Sequence, residues 1–231
     1  MGKKIIQQAR GHGSLTYRVR RAAYRFKIEY PKQEGKALVL KLVNSAGHTA
    51  PLAKILLQGK IFYNPAHKNM FEGQEIEIGG NEVKEGNILE LKNIPLGTRV
   101  YNIETRPGNG GKLIRTGGNS ATLMKKQNNV VSVLLPSKKE IWLNERCKAT
   151  IGVIAGHGRL EKPILKAGRK FYLMKARNKL WPRTSAVKMN IIDHPFGSGR
   201  GKRIKSKIPK RNAPPGAKVG SLSPRRTGRL K

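Results

Sequence analysis

The chain has 231 residues, of which 48 are Lys or Arg and 13 are Asp or Glu, so its net charge is +35. Charge of one sign at this density destabilises a compact state unless a polyanion neutralises it, which disfavours an ordinary metabolic enzyme. No run of residues approaches the roughly 18 apolar positions that a transmembrane helix needs, so we expect no membrane partner.

The excess charge lies at the two ends of the chain. Residues 1–28 hold eight Lys or Arg and no acid, whereas residues 29–161 hold 19 bases and 12 acids. Residues 162–231 hold 21 bases and a single acid, Asp193. The centre therefore has the composition of an ordinary globular protein, and the ends have the composition of basic extensions.

Short β-rich runs separated by turn signals fill the centre. Asn128 and Asn129 fit a tight hairpin turn between two of them, and a helical period covers about 167–175. The predicted strands cover residues 37–43, 52–57, 75–78, 88–91, 99–104, 120–126, 130–135, 139–143 and 149–154.

Evenly spaced short strands are typical of small β-barrels, and the length of the chain fits two of them. The segment 93–97, which contains a proline and a glycine, is a natural joint. We therefore predict a mainly β protein with four parts. These are a basic N-terminal extension (1–36), a first barrel (37–92), a second barrel (93–175) and a basic Gly/Pro-rich C-terminal extension (176–231).

The tail from Gly197 onwards is rich in Gly, Pro and basic residues and has almost no apolar periodicity. It cannot bury enough apolar surface to offset its conformational entropy, so we expect it to be disordered on its own. A solubilising tail is one interpretation, but positively charged arms are poor solubilisers and bind polyanions. We favour an arm that becomes ordered along nucleic acid.

Cys147 is the single cysteine, which excludes a disulfide within the chain and a cysteine-based zinc site. The N-terminus has no apolar segment of the kind found in secretory signals. We therefore expect an intracellular protein in which Cys147 is a small buried hydrophobe.

Catalysis has weak support. None of the five histidines lies three or four residues from another, so we expect no metal and no cofactor. Asp193 beside His194 suggests a general base, but Pro195 favours an extended His194 with the two side chains on opposite faces. The alternative is a turn in which Asp193 caps backbone N–H groups and His194 meets a phosphate or a base. An RNA-processing or RNA-modifying enzyme that uses Asp193 and His194 is our second hypothesis.

Two glycine-rich segments, residues 106–112 and 197–202, are candidate phosphate-binding loops. Neither has the spacing of a P-loop, but glycines next to Arg and Lys let backbone N–H groups approach phosphodiester oxygens closely. The candidates are Arg106, Gly108, Gly110, Gly111, Lys112 and then Arg115 at the first segment, and Gly197, Gly199, Arg200, Gly201, Lys202 and then Arg203 at the second.

Aromatic residues are interleaved with bases in residues 17–26 and 169–183. Bases neutralise phosphates while aromatic planes stack on exposed nucleobases, although each aromatic residue is equally compatible with a core position. Basic arms on small barrels favour folded RNA, because arms thread between RNA helices; a DNA-compacting protein is our third hypothesis. The candidates here are Arg10, Arg18, Arg20, Arg21, Arg25, Arg169 and Lys170.

Several segments resemble the family of large-subunit ribosomal protein two. The most specific is residues 186–201, which contain Asp193, His194, Pro195 and Phe196; residues 93–111, 147–152 and 166–169 match further segments. Residues 10–14 are similar to the archaeal and eukaryotic branch. Phe196 fits that branch too, because bacterial members carry a second histidine there, and its presence weakens a catalytic dyad. The shortness of the chain favours the archaeal type.

The resemblance implies an OB-like barrel followed by an SH3-like barrel, with extensions that reach into ribosomal RNA. Members of the family bind large-subunit rRNA, help to join the subunits and shape the region around the peptidyl transferase centre, where RNA does the chemistry. The expected partners are therefore large-subunit rRNA, other ribosomal proteins and the small subunit through an intersubunit bridge, in the cytoplasm. His12, His194 and Pro195 join the RNA-binding candidates on this basis.

Overall fold

The computed structural model describes residues 3–197 and Asn212, and within them the protein is mainly β. Two α-helices lie near the ends of this part of the chain, α1 (Ile6–Gly11) and α2 (Ala167–Ala176). The strands between them are β1 (Gly35–Val43), β2 (Leu52–Leu57), β3 (Lys60–Pro65), β4 (Glu75–Ile78), β5 (Ile88–Glu90), β6 (Arg99–Tyr101), β7 (Ala121–Gln127), β8 (Val130–Leu134), β9 (Glu140–Asn144) and β10 (Lys148–Ile151).

All nine predicted strands are present, and their ends lie within three residues of the prediction. Asn128 and Asn129 both have positive φ (45° and 63°) and join β7 to β8, as a hairpin turn of this type requires. Strand β3 is absent from the prediction because its apolar run, Ile61 to Tyr63, is only three residues long. Helix α2 confirms the predicted helical turn, whereas α1 is absent from the prediction because all six of its residues lie outside any core.

The strands form one ten-stranded sheet in the order β3-β2-β1-β4-β5-β10-β6-β7-β8-β9. Neighbouring strands are antiparallel except β4 and β5, which are parallel at the pair Ile78 and Ile88. β3 and β9 stand at the ends of this order. The outer edge of β3 is therefore not covered by another strand of the sheet.

Two main hydrophobic cores pack against the sheet, and a smaller cluster contains Ala50, Tyr101 and Ile154. One main core is built from residues 30–88 and the other from residues 89–151. Ile88 belongs to the first core and Leu89 to the second, and both are fully buried, because successive side chains of a strand point to opposite faces. Truncation of either side chain to alanine is expected to cost about 2–5 kcal/mol.

A buried polar network lies beside these cores. The Asn102 side-chain amide donates to Asn64 Oδ1 at 2.8 Å, and the Asn64 amide donates to Thr150 Oγ1 at 3.0 Å. The Tyr30 hydroxyl is 2.6 Å from Thr150 Oγ1 and donates to the Asn102 carbonyl oxygen at 2.7 Å. Every member is thus hydrogen-bonded, which avoids the cost of an unpaired buried polar group.

The chain divides into two compact units. The larger is Arg20–Arg169, and the smaller combines the described residues of Met1–Val19 and of Lys170–Lys231. Within the smaller unit, the Lys3 N–H donates to the Ile192 carbonyl oxygen at 2.9 Å. No helix in the described residues is long and apolar enough to cross a membrane.

Candidate nucleic-acid interface

The first glycine-rich loop is built around a buried acid. Glu104 is 1% exposed, and its carboxylate accepts the N–H groups of Gly108 (3.1 Å), Gly110 (2.8 Å) and Lys148 (2.9 Å). These N–H groups are therefore engaged within the protein. Gly110 and Gly111 are buried, whereas the side chains of Arg106 and Lys112 are exposed at the surface of the loop.

Arg115 turns inward from the end of this loop. Its Nε donates to Asn102 Oδ1 at 3.0 Å, and its Nη2 donates to the carbonyl oxygens of Ile28, Gly110 and Gly111. Burial lowers the pKa of this guanidinium, because a charged group loses solvation there. Arg115 therefore holds the loop on the buried polar network rather than extending towards solvent.

The segment that begins the larger unit presents its arginines outward. Arg20, Arg21 and Arg25 are exposed, while Ala23 between them is buried and its carbonyl oxygen accepts the Gly47 N–H at 2.7 Å. The backbone is thus anchored and the cations point away from it. The guanidinium of Arg25 also lies 5.9 Å from the Phe26 ring centroid, in cation–π range.

The smaller unit holds a second group of candidate bases. Arg10 Nη2 donates to the Asn178 carbonyl oxygen at 3.3 Å, and Arg18 Nε donates to the Gly13 carbonyl oxygen at 3.0 Å. His12, which caps α1, is exposed. Lys170 Nζ lies 5.5 Å from the Trp181 ring centroid. Arg169, the preceding residue of α2, is exposed at the end of the larger unit.

The Asp193–His194 pair forms no dyad. The N–H groups of both residues donate to the Asn190 carbonyl oxygen (3.0 and 3.1 Å), which makes residues 190–194 a turn. The Asp193 carboxylate lies 3.6 Å from Lys3 Nζ and forms a salt bridge with it.

The imidazole of His194 is oriented by the turn. Its Nδ1 accepts the Phe196 N–H at 3.1 Å, and burial lowers the pKa of His194, which favours the neutral ring. A general-base histidine instead uses Nδ1–H to donate to a carboxylate. With Nδ1 engaged as an acceptor, the neutral ring carries its proton on Nε2, a donor suited to a phosphate or a nucleobase.

The remaining candidate residues lie at the end of the His194 turn, in the second hydrophobic core or outside the described residues. Pro195 and Gly197 are buried at the end of the His194 turn, and no group of three or more potential metal ligands occurs in the described residues. Cys147 is fully buried, as predicted. The predicted candidates Gly199, Arg200, Gly201, Lys202 and Arg203 lie outside the described residues, as does the disorder expected of the tail.

Glu104 is the residue that sequence reasoning misses at the first loop. The one signal it gives is an acid placed just before a glycine-rich segment, and nothing in the local pattern indicates that it is buried. The outer side of β3 is missed as well, because that strand is not predicted.

Residues 84–215 match the model of the family described as Ribosomal Proteins L2, C-terminal domain. The chain is also 45% identical over 238 residues to the large ribosomal subunit protein uL2 of Hyperthermus butylicus, with all of both chains covered. The chain belongs to the ribosomal protein L2 family. A second relative, large ribosomal subunit protein uL2 of Archaeoglobus fulgidus, is 42% identical over 236 residues and 99% of both chains. These matches confirm the resemblance seen in residues 186–201, and the archaeal type.

Proposed function

We propose that this protein is a structural constituent of the large ribosomal subunit that binds large-subunit rRNA and does not itself catalyse a reaction. Membership of the ribosomal protein L2 family and full-length relatives named as large-subunit proteins support the ribosomal role. Its location is accordingly the ribosome, in the cytoplasm. The engaged Nδ1 of His194 removes the support for the enzyme hypothesis.

The observation that carries RNA binding is the outward display of Arg20, Arg21 and Arg25 on an anchored backbone, within a segment that contains no acid. Cations without nearby carboxylates repel one another until phosphates neutralise them. Exposed Arg106 and Lys112 extend the same character to the glycine-rich loop, where Gly108, Gly110, Gly111 and Arg115 position the cations.

The finer architecture is part of the same proposal. Residues 37–92 form an OB-like barrel and residues 93–175 an SH3-like barrel, between basic extensions 1–36 and 176–231. Two separate hydrophobic cores, divided between Ile88 and Leu89, support two barrels of this size.

The smaller unit is proposed to reach the RNA around the peptidyl transferase centre. Arg10, Arg18 and Lys170 give it cations, and the Nε2–H of His194 gives it a hydrogen-bond donor. The proposed partners besides rRNA are other ribosomal proteins and, through an intersubunit bridge, the small subunit. In this arrangement residues 199–203 continue the contact that begins at His194.

The test is the salt dependence of binding between the full chain and a transcribed fragment of large-subunit rRNA. The logarithm of affinity is expected to fall linearly with the logarithm of salt concentration, by about 0.7–0.9 for each phosphate neutralised. Replacement of Arg20, Arg21 and Arg25 together by Gln lowers this slope by about 2–3. The matched control replaces the exposed Lys32, Lys138 and Lys139 by Gln. A flat slope, or equal affinity for duplex DNA, would overturn the proposal.

A further inference from the structure

A pocket of about 470 Å³ lies between the segment Arg25–Pro31 and the outer edge of β3. Pockets that hold small ligands begin at about 300 Å³, so this one is large enough for a nucleotide. Its floor is apolar and aromatic, with Leu57 and Tyr30 buried and Phe62 half-buried. It lies in the larger unit, and its lining residues Glu29 and Tyr30 pack against Gly110 of the glycine-rich loop.

The lining carries more positive than negative charge. Arg25, Lys27 and Lys60 line the pocket together with one acid, Glu29. Lys27 Nζ lies 2.6 Å from the Glu29 carboxylate, and this hydrogen bond is the main reason that the pKa of Glu29 is lowered. The acid is therefore neutralised by its neighbour, and among the described residues no carboxylate lies within salt-bridge distance of Arg25 or Lys60.

The edge of β3 adds backbone hydrogen-bonding groups. The Glu29 N–H donates to the Tyr63 carbonyl oxygen at 3.4 Å, so the polar groups of Tyr63 point away from β2. In an antiparallel pair this direction alternates along the strand, so the N–H and C=O of Ile61 point outward as well. Ile61 lines the pocket and is 49% exposed.

We propose that this pocket binds one unpaired nucleotide of the large-subunit rRNA. The inference rests on the proposed RNA-binding function and names a site for it. The base lies against Phe62 and hydrogen-bonds to the outward N–H and C=O of Ile61, which together form a donor–acceptor pair. Arg25 and Lys60 hold the phosphate. Aromatic floors with cationic rims are the general means by which proteins hold unpaired bases.

The chemistry of the edge favours a nucleotide over a protein strand. A strand that extends the sheet needs several consecutive unpaired residues, and the pairing of Ile28 with Tyr63 already occupies the edge beyond Ile61. The two uncompensated cations also match a phosphodiester, which carries one negative charge for each nucleotide.

The experiment measures binding of the full chain to octauridine and, in parallel, to the rRNA fragment. Lys60→Gln is expected to weaken octauridine binding about fivefold and to lower its salt slope by about 0.7. Lys139→Gln removes an equal charge from the turn between β8 and β9 and serves as the matched control. Ile61→Pro removes the outward N–H at a position where an edge strand tolerates proline, and is expected to weaken binding by a similar factor.

Ultraviolet crosslinking of the unaltered chain to the rRNA fragment gives a readout independent of folding in the variants. Crosslinked peptides that contain Phe62 or Tyr63 support the proposal. The pocket assignment is overturned if Lys60→Gln and Lys139→Gln have the same affinity for octauridine and no crosslink maps to β3. If the rRNA fragment still binds in that case, the proposed function stands. If neither RNA binds, both fall. Crosslinks in intact large subunits that join Lys60 to another protein would also overturn the pocket assignment.

Discussion

The N–H of Gly110 donates a 2.8 Å hydrogen bond to the buried carboxylate of Glu104, in a loop whose sequence suggests a phosphate cradle. The same carboxylate also accepts the N–H groups of Gly108 and Lys148. An internal anion thus holds the place that the glycine pattern suggests for a phosphate. The side chains of Arg106 and Lys112 remain exposed at this loop, and the proposed RNA contact there rests on them.

Replacement of Glu104 by Ala is expected to destabilise the protein by about 3 kcal/mol or more, because three backbone donors lose a charged acceptor in a buried position. The measurement is the free energy of unfolding in urea, with rRNA absent. Glu161→Ala, at an exposed acid, is the control and is expected to stay within about 0.5 kcal/mol of the unaltered chain. Equal stabilities for the two variants would contradict the buried role of Glu104.

Gly111 and Gly108 have similar positive φ angles, +71° and +78°, but different surroundings. A Cβ at Gly111 would collide with the backbone and side chain of Asn102, whereas a Cβ at Gly108 meets nothing within 4 Å. Gly108→Ala is therefore expected to cost about 1 kcal/mol for the backbone conformation alone. Gly111→Ala adds a steric clash to that cost, and a Gly111→Ala variant as stable as Gly108→Ala would exclude the clash.

The strands are largely predictable from the sequence because their side chains alternate or lie between clear turn signals. In β4, Ile76 and Ile78 are buried, whereas Glu75, the first residue of the strand, is exposed. This alternation is the pattern that a half-buried strand requires. The consecutive apolar residues of β3 give no such alternation. The strand forms because it pairs with β2 in a hairpin that begins at Leu57 and Lys60. This pairing adds β3 to the sheet as its first strand.

The sequence predicts which residues of the candidate site are basic, but it does not predict which of their side chains face solvent. Arg20 and Arg115 illustrate the difference. Arg20 is exposed, and the absence of acids from residues 1–28 is a local property that the sequence shows directly. Arg115 is turned inward by acceptors such as the Ile28 carbonyl oxygen, which lies 87 residues away in the chain. The direction of a long side chain depends on such distant contacts, and one sequence does not encode them in a readable pattern.

Substitution of Arg115 is expected to lower the stability of the fold, whereas substitution of Arg106 is expected to weaken RNA binding only. Arg115→Gln should lower the free energy of unfolding by about 2–4 kcal/mol, because it leaves buried carbonyl oxygens without a charged donor. Arg106→Gln should leave stability unchanged and lower the salt slope of rRNA binding by about 0.7–0.9. Urea unfolding and salt titration of the two variants check this. The opposite pattern would place Arg115 on the RNA and Arg106 in the fold.

Cys147 is expected to be unreactive in the folded protein. The side chain is fully buried, and burial, helped by the nearby charge of Glu104, raises the pKa of its thiol to about 11. Thiolate is the reactive form, so a thiol-specific reagent at pH 8 should modify the protein only as fast as it unfolds. Addition of urea should restore rapid modification. Immediate modification without denaturant would show that Cys147 is accessible.

The His194 turn is expected to loosen as the pH falls below about 6.5. Burial lowers the pKa of the folded imidazole below 6.5, the ordinary value that it regains when the turn opens. The open form therefore binds protons first, so the stabilisation is complete above pH 6.5 and is lost as the pH falls towards the folded pKa. Protonation of Nδ1 also removes the acceptor of the Phe196 N–H.

Hydrogen-exchange protection of the Phe196 amide, corrected for the intrinsic effect of pH on exchange, measures this change. Protection should fall between pH 7.5 and pH 5 in the unaltered chain. A His194→Gln variant, which lacks the titrating imidazole, should show protection that is independent of pH. A pH dependence that survives this substitution would mean that another group controls the turn.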